Sequence, residues 1–312
     1  MKAVSITPLG GYSNMNYSVT DLDNKHYVLR LSSINRSSES LNHECHVLSR
    51  LEQKDLSIAP KLINKNNYSL FIKYSDTKHS VSLFEKIPGK IDCLWWEECS
   101  DDKILKIFCS LAKLHLQMSD ISPLNSEDFK SSSFNLPSQI YSISATSEVK
   151  SYLLKNWKIF CQSAEILKKD IDCYFPWKEA SYQWIHGDIQ MENIIFKEDE
   201  VAAFIDFESV KWDSCEKDAI FSAFRVCRKG KSDEYFEYNA NKLKISLNQY
   251  LKENPYVNRS FFSMYDSLWK FYYCLDQTIL YLKNALEGVW TLREGIGFLP
   301  CFKEVILYKT IY

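Results

Sequence analysis

The chain has 312 residues, 46% of them apolar and 25% charged, with a formal net charge of -2. That is enough for one large domain or two lobes with real cores, and the near-neutral balance argues against a nucleic-acid binder, which would carry a basic stripe. No apolar run approaches a membrane span, residues 1–13 show no signal-peptide pattern, and the ten Cys, none in a Cys-x-x-Cys pair, point to buried thiols in a reducing, cytoplasmic setting.

The first third reads as a small antiparallel sheet with one helix. Residues 4–9, 16–20 and 26–31 have strand patterns. Between the first two lies Gly10-Gly11-Tyr12-Ser13-Asn14. Backbone N–H groups of a Gly-rich turn can approach phosphate oxygens without side-chain obstruction, although a Gly-Gly pair is often only a turn. Arg30 is a single cation in an apolar strand pattern. It can pair with phosphates or face solvent. Residues 37–53 read as a helix, with Leu41, Cys45, Leu48 and Leu51 on one face and Ser38 and Ser40 near its start. Glu44 on that helix can hold Arg30 in place. Further strands are expected at 60–63, 70–74 and 81–85, and Pro88-Gly89 then punctuates the chain. We place a lobe boundary there, giving lobes 1–87 and 88–312. A nucleotide base can bind the backbone of such a junction, and Glu85 C=O and Ile87 N–H are the expected contacts.

Beyond Pro88 the pattern becomes helical, with helices expected at 95–100, 102–118 and 150–174 around a polar connection at 119–144. His115 reads as a core or supporting residue. Helices are expected again at 218–228, 235–251, 260–287 and 299–311.

Inside this helical region lies the most informative stretch, His186-Gly187-Asp188-Ile189-Gln190-Met191-Glu192-Asn193, followed by Ile205-Asp206-Phe207-Glu208. Residues 194–196 and 202–205 read as two short strands joined by the polar loop 197–200. Asp188 then enters the first strand and Asp206 ends the second. An acid placed to take a proton from a hydroxyl, and an amide and a carboxylate suited to a hard cation such as Mg²⁺, form a set fitted to phosphoryl transfer. If the second strand continues, Glu208 projects to the same side as Asp206 and can reach a metal water or the substrate. His186 is expected to support the loop by hydrogen bonding.

These motifs resemble the catalytic and metal-binding signature of the aminoglycoside phosphotransferase and choline kinase superfamily. The Gly10–Asn14 turn, Val28-Leu29-Arg30, Glu44, Ile87-Pro88-Gly89 and Leu111-Ala112-x-Leu114-His115 match in order, and Asp218 falls where the family often has an Asp. The resemblance implies an α+β, two-lobed protein-kinase-like fold, with a small antiparallel N-lobe sheet, one main N-lobe helix, and a larger mainly helical C-lobe around a catalytic hairpin. It implies ATP under Gly10, Gly11, Ser13 and Asn14 and against Arg30, Mg²⁺ on Asn193, Asp206 and Glu208, and Asp188 as catalytic base.

Arg30 and the Asp-Phe-Glu motif lean toward choline kinase-like members, although the loop 189–192 lacks the family's usual Pro. The expected acceptor is a small-molecule hydroxyl, with choline or a related amino alcohol favoured. Trp269, Tyr273, Asp276 and Trp290 are the candidates to hold such a cationic group. An aminoglycoside or macrolide kinase, a homoserine, thiamine or sugar kinase, and a catalytically silent kinase-like scaffold are the alternatives.

Overall fold

The computed structural model describes residues 2–10, 14–34, 36–54, 58–63, 71–74, 77–94, 96–124, 140–230, 234–264, 268–294 and 297–311. The chain groups into two compact units, the first made of Met1–Asp92, Cys109–Glu127 and Tyr182–Asp218, the second of Cys93–Phe108, Asp128–Ser181 and Ala219–Tyr312.

The first unit opens with β1 (Ala3–Gly10), β2 (Met15–Asp21) and β3 (His26–Leu31), then α1 (Ser38–Gln53), β4 (Phe71–Tyr74) and β5 (Thr77–Glu85). Its antiparallel sheet runs in the order β1-β2-β3-β5-β4. Asn16, Arg30 and Ser82 lie side by side across the three central strands. The β2–β3 turn is closed by Asp21, whose Oδ1 accepts the N–H groups of Asp23 (3.0 Å) and Lys25 (2.9 Å). Such short-range bonding is what Asp supplies in turns. β1 is one of the two edge strands, exposed along its length, with irregular register at Ala3/Ser5 and Pro8/Gly10.

Helix α1 is capped by Ser37, whose Oγ accepts the Ser40 N–H at 3.1 Å. It buries Leu41, Cys45, Val47, Leu48 and Leu51, and Glu44 sits among them. The expected strand at 60–63 is reduced to one bridge, Leu62 to Phe84. β4 pairs only with residues 77–80 of β5. Residues 61–63 bond the rest, through Ile63 N–H to Leu83 O (2.8 Å) and Glu85 N–H to Lys61 O (2.9 Å).

The rest of this unit holds the C-terminal part of α2 (Asp101–Met118) and four short strands, β6 (Tyr182–Ile185), β7 (Ile194–Lys197), β8 (Glu200–Phe204) and β9 (Lys211–Ser214). β6 pairs with β9, and β7 with β8. The expected catalytic hairpin is therefore present. Its loop is a two-residue turn in which Glu198 (φ 51°) and Asp199 (φ 61°) both take positive φ, as the twist of a tight hairpin requires.

The second unit is helical, built from α3 (Ser147–Tyr174), the C-terminal part of α4 (Cys215–Val226), α5 (Ala240–Glu253), α6 (Lys270–Leu286) and α7 (Phe298–Ile311). α3 and α6 pack on α7, with Phe160 stacked on Phe302 at 4.6 Å. Three expectations change here. Residues 96–100 form a turn rather than a helix, because Glu97 bonds back to Leu94 through both its N–H (2.9 Å) and its carboxylate (2.8 Å). α5 starts at Ala240 because Asn239 caps it, accepting the N–H groups of Asn241 and Lys242. The expected helix 260–287 is a short 3₁₀ stretch, Arg259–Met264, followed by α6. Among the described residues no helix is long and apolar enough to cross a membrane, and none of the ten cysteines is in a disulfide.

Candidate active site

The first unit gathers most of the residues singled out by sequence. Arg30, on the central strand β3, is 4% exposed. Its guanidinium pairs with Glu44 of α1, lies over the Phe84 ring at 4.9 Å, and reaches Asp206 Oδ1 at 3.4 Å. Glu44 is 2% exposed. Burial works against its ionised form, yet Arg30 and Arg36 outweigh that and hold its carboxyl below the usual range.

The loop 186–193 is fixed from several sides. His186 is fully buried and packs on Phe207, with ring centroids 4.5 Å apart. Its Nε2 lies 3.0 Å from the Ile205 carbonyl, and its Nδ1 accepts the Asp188 N–H at 3.3 Å. That pattern assigns the proton to Nε2 and gives His186 a supporting role in the loop. Gly187 has φ +78°, and a Cβ there would sit 2.5 Å from the Ser209 carbonyl oxygen. Its N–H donates to Asp218 Oδ1 (3.2 Å), while Asp218 Oδ2 meets buried His115 Nε2 at 3.0 Å. Asp218, in the first turn of α4, thus ties the loop to α2. His115 is a supporting residue, as its sequence position suggested.

Asp188 Oδ2 accepts from Asn193 Nδ2 (3.0 Å) and from Gln190 Nε2 (3.3 Å). Gln190 stands inside the loop that lacks the expected Pro, and only the folded loop brings its amide back to Asp188. The Asn193 Nδ2 also donates to the Asp188 carbonyl at 2.9 Å. With its nitrogen so used, Asn193 has its amide oxygen as the atom suited to a cation.

Asp206 adopts φ 64°, ψ 63°, and residues Phe207–Ser209 form a 3₁₀ turn. The strand therefore does not continue past Asp206. Glu208 instead turns toward Asn14, whose Nδ2 donates to its Oε2, and toward Arg36, whose Nε lies 3.8 Å from its Oε1. Burial pushes the Asp206 carboxyl up to about 6; Arg30 opposes the rise, and the charges of Glu208, Glu44 and Asp188 add to it. Four carboxylates around two guanidinium groups leave this region short of positive charge.

That deficit is what a divalent cation would relieve. Among the described residues no group of three or more His, Cys, Asp or Glu side chains is arranged to hold a metal. One carboxylate and one amide oxygen suit Mg²⁺, which keeps several waters and takes its other oxygens from phosphate.

Of the remaining predicted positions, Gly11 and Ser13 lie outside the described residues. Gly10 ends β1, and Asn14, 9% exposed, also accepts the Ser33 N–H at 2.9 Å. Glu85 ends β5, with Ile87 two residues on. Trp269, Tyr273, Asp276 and Trp290 lie in the second unit. Trp269 and Tyr273 are core residues there, 0% and 4% exposed. Trp269 stacks on Phe175 at 4.2 Å and donates its indole N–H to the Phe261 carbonyl. Asp276 and Trp290 are half-buried.

An acid beside an Asn, a second acid after a short hairpin, and an Arg–Glu pair reaching that second acid all lie in the first unit. The family model of the phosphotransferase enzyme family matches residues 5–241, and the chain belongs to that family. No curated protein matches the sequence. Solved structures share the fold at low identity. An amicoumacin kinase in complex with AMP-PNP and Ca²⁺ is 15% identical, with a TM-score of 0.69 over 98% of this chain and 88% of its own. A microcompartment-associated aminopropanol kinase, 15% identical, gives 0.64 over 99% and 90%. A choline kinase from Streptococcus pneumoniae, also 15% identical, gives 0.61 over 100% and 95%. The fold is thus the α+β, protein-kinase-like fold of small-molecule phosphotransferases.

Proposed function

We propose that the protein is an ATP-dependent kinase that moves the γ-phosphate of ATP to a hydroxyl of a small molecule, with choline or a related amino alcohol as the favoured acceptor. The observation that carries the reading is the convergence of Asp188, Asn193, Asp206 and the Arg30–Glu44 pair within one unit. The aminopropanol and choline kinases among the structural neighbours support the acceptor class. The amicoumacin kinase favours a second reading, an antibiotic as acceptor.

In this reading residues 1–87 are the nucleotide lobe and residues 88–312 the catalytic and acceptor lobe, and the enzyme works in the cytoplasm. Gly10, Gly11, Ser13 and Asn14 lie along the phosphates, and Glu85 C=O and Ile87 N–H hydrogen-bond the base. Arg30, held by Glu44, turns from Asp206 to phosphate oxygens. Asn193 and Asp206 would hold Mg²⁺, with Glu208 contributing through water. When bound there, the ion would supply positive charge against the phosphoryl oxygens. Asp188 accepts the proton of the attacking hydroxyl, and the amide groups of Asn193 and Gln190 fix the carboxylate for that task. Asp276 and Trp290 are the candidate groups for a cationic acceptor, while Trp269 and Tyr273 are packed in the core of the second unit.

The test is ATP consumption with choline, ethanolamine, aminopropanol, homoserine, thiamine, sugars, aminoglycosides and macrolides. Turnover with an amino alcohol is expected, and turnover confined to an antibiotic would select the second reading. In parallel, Asp206→Ala should remove thermal stabilisation by MgATP; stabilisation that survives the change would refute the metal assignment.

A further inference from the structure

Arg36 lies between β3 and α1, outside every motif of the sequence. Its side chain is only 2% exposed. Its Nη2 meets Glu44 Oε2 at 2.9 Å, and its Nη1 donates to Ser32 Oγ at 3.5 Å. Its Nε donates to Ser40 Oγ at 3.3 Å and faces Glu208 Oε1 at 3.8 Å. Glu44 therefore serves two arginines. Followed from group to group, the charges alternate: Asp206, Arg30, Glu44, Arg36, Glu208. Asp206 and Glu208 belong to one turn, so the backbone joins the two ends of the series.

A buried guanidinium cannot lose its partners without a large desolvation cost. Arg36 consequently fixes both carboxylates it faces. Glu208 is further held by Asn14 Nδ2 at Oε2 and, through its carbonyl oxygen, by Ser40 Oγ at 3.0 Å. The end of the Gly-rich turn, the start of α1 and the 206–208 turn thus meet on one residue. Glu44 alone would neutralise Arg30. With Arg36 drawing on the same carboxylate, Arg30 keeps part of its positive field for the site, and its buried Nε has no hydrogen-bond partner among the described residues.

We propose that Arg36 is a positioning residue of the phosphotransfer site and acts through Glu208 and Glu44. This rests on the phosphotransferase reading above. Arg36 holds Glu208 toward α1, so that Asp206 is the carboxylate of the turn directed at the metal position. By sharing Glu44 it leaves Arg30 charged toward the phosphates.

The test is a double-variant cycle read by calorimetric titration of AMP-PNP with Mg²⁺. It compares wild type, Arg36→Met, Arg36→Lys, Glu208→Gln and the double variant Arg36→Met/Glu208→Gln. Arg36→Met should weaken nucleotide binding by about tenfold or more, Arg36→Lys should restore part of that, and the double variant should match the worse single variant within about twofold. Losses that multiply in the double variant overturn the proposal. So does an Arg36→Met affinity within about twofold of wild type. If Arg36→Met does not fold, Arg36→Lys combined with Glu208→Gln gives the equivalent cycle, and multiplying losses overturn the proposal there too. A wild type that binds nucleotide while the Arg36 variants bind equally well sinks this inference alone. A wild type that binds no nucleotide sinks the kinase reading beneath it.

Discussion

Replacing Gly187 by Ala tests how tightly the 186–193 loop is built. The added Cβ would stand 2.5 Å from the Ser209 carbonyl oxygen, where ordinary contact begins at 3.4 Å. The obstacle is backbone, and it is pinned: Val210 N–H bonds Phe207 O at 3.2 Å, Phe207 is fully buried, and Ser40 holds Glu208. Positive φ adds about 1–2 kcal/mol for a residue with a Cβ, and relieving the overlap costs about 1–3 kcal/mol more. The sum, on the order of 2–5 kcal/mol, corresponds to a Tm lower by roughly 4–10 °C at about 2 °C per kcal/mol for a large domain. Moving the 207–209 turn also moves Asp206, and a misplacement of about 1 Å can cost about 10²-fold in rate. Gly10→Ala is the control, since Gly10 also has positive φ (+83°) but no atom of the described residues within 4 Å of the added Cβ; only the strain of about 1–2 kcal/mol applies. Thermal melts of both variants decide the matter. A Gly187→Ala Tm no lower than that of Gly10→Ala would refute the packing argument.

Asp188→Asn should reduce turnover by about 10²–10⁴-fold while calorimetric nucleotide affinity stays near wild type; unchanged turnover would remove Asp188 from the role of base. Glu44→Gln strips Arg30 and Arg36 of their shared anion and should destabilise the protein by about 3–5 kcal/mol in urea denaturation, whereas a loss near zero would mean that water replaces the carboxylate. The Asp206 carboxyl, raised to about 6 from an ordinary 3.8, keeps its proton in the folded protein where the unfolded chain has lost it. Its contribution is thus complete below about pH 4 and fades as pH rises through about 6. Melts of the metal-free protein should show this decline, and Asp206→Asn should flatten it. Water screens the half-open carboxylate, so the slope rather than a large stability change is the observable.

The central hairpin was legible because strand patterning and the Asp-x-x-x-x-Asn spacing are local. The positions of the turn could be read from Lys197 to Glu200, but not its positive φ values, since Glu198-Asp199 lacks the Gly that announces them. Glu44 could be matched to Arg30 because a single buried cation needs an anion on the neighbouring helix. Arg36 could not, because Ser-Ile-Asn-Arg-Ser-Ser reads as solvated loop. Its burial depends on Glu208, which comes from the other end of the unit; Asn14, on the same carboxylate, is 194 residues away in sequence. Glu208 itself pointed elsewhere than the strand pattern implied, because Asp206 takes a left-handed conformation that period-two alternation cannot signal. In the second unit, aromatic spacing identified Trp269 and Tyr273 without distinguishing a ring that packs inward from one that meets a ligand.

The edge strand β1 has a consequence for how the protein behaves when concentrated. Its eight residues, Ala-Val-Ser-Ile-Thr-Pro-Leu-Gly, carry no charge, and Val4, Ile6 and Leu9 are more than half exposed. Edge strands usually deter intermolecular pairing with Lys or with inward-pointing charges. Here that duty falls to Pro8, which cannot donate to a new ladder, and to the irregular register near both ends of the strand. Pro8→Thr would leave a continuous, uncharged β-forming segment at the surface. Light scattering during storage should then rise well before any change in Tm, marking colloidal stability as a property that an imino acid helps to guard in this fold.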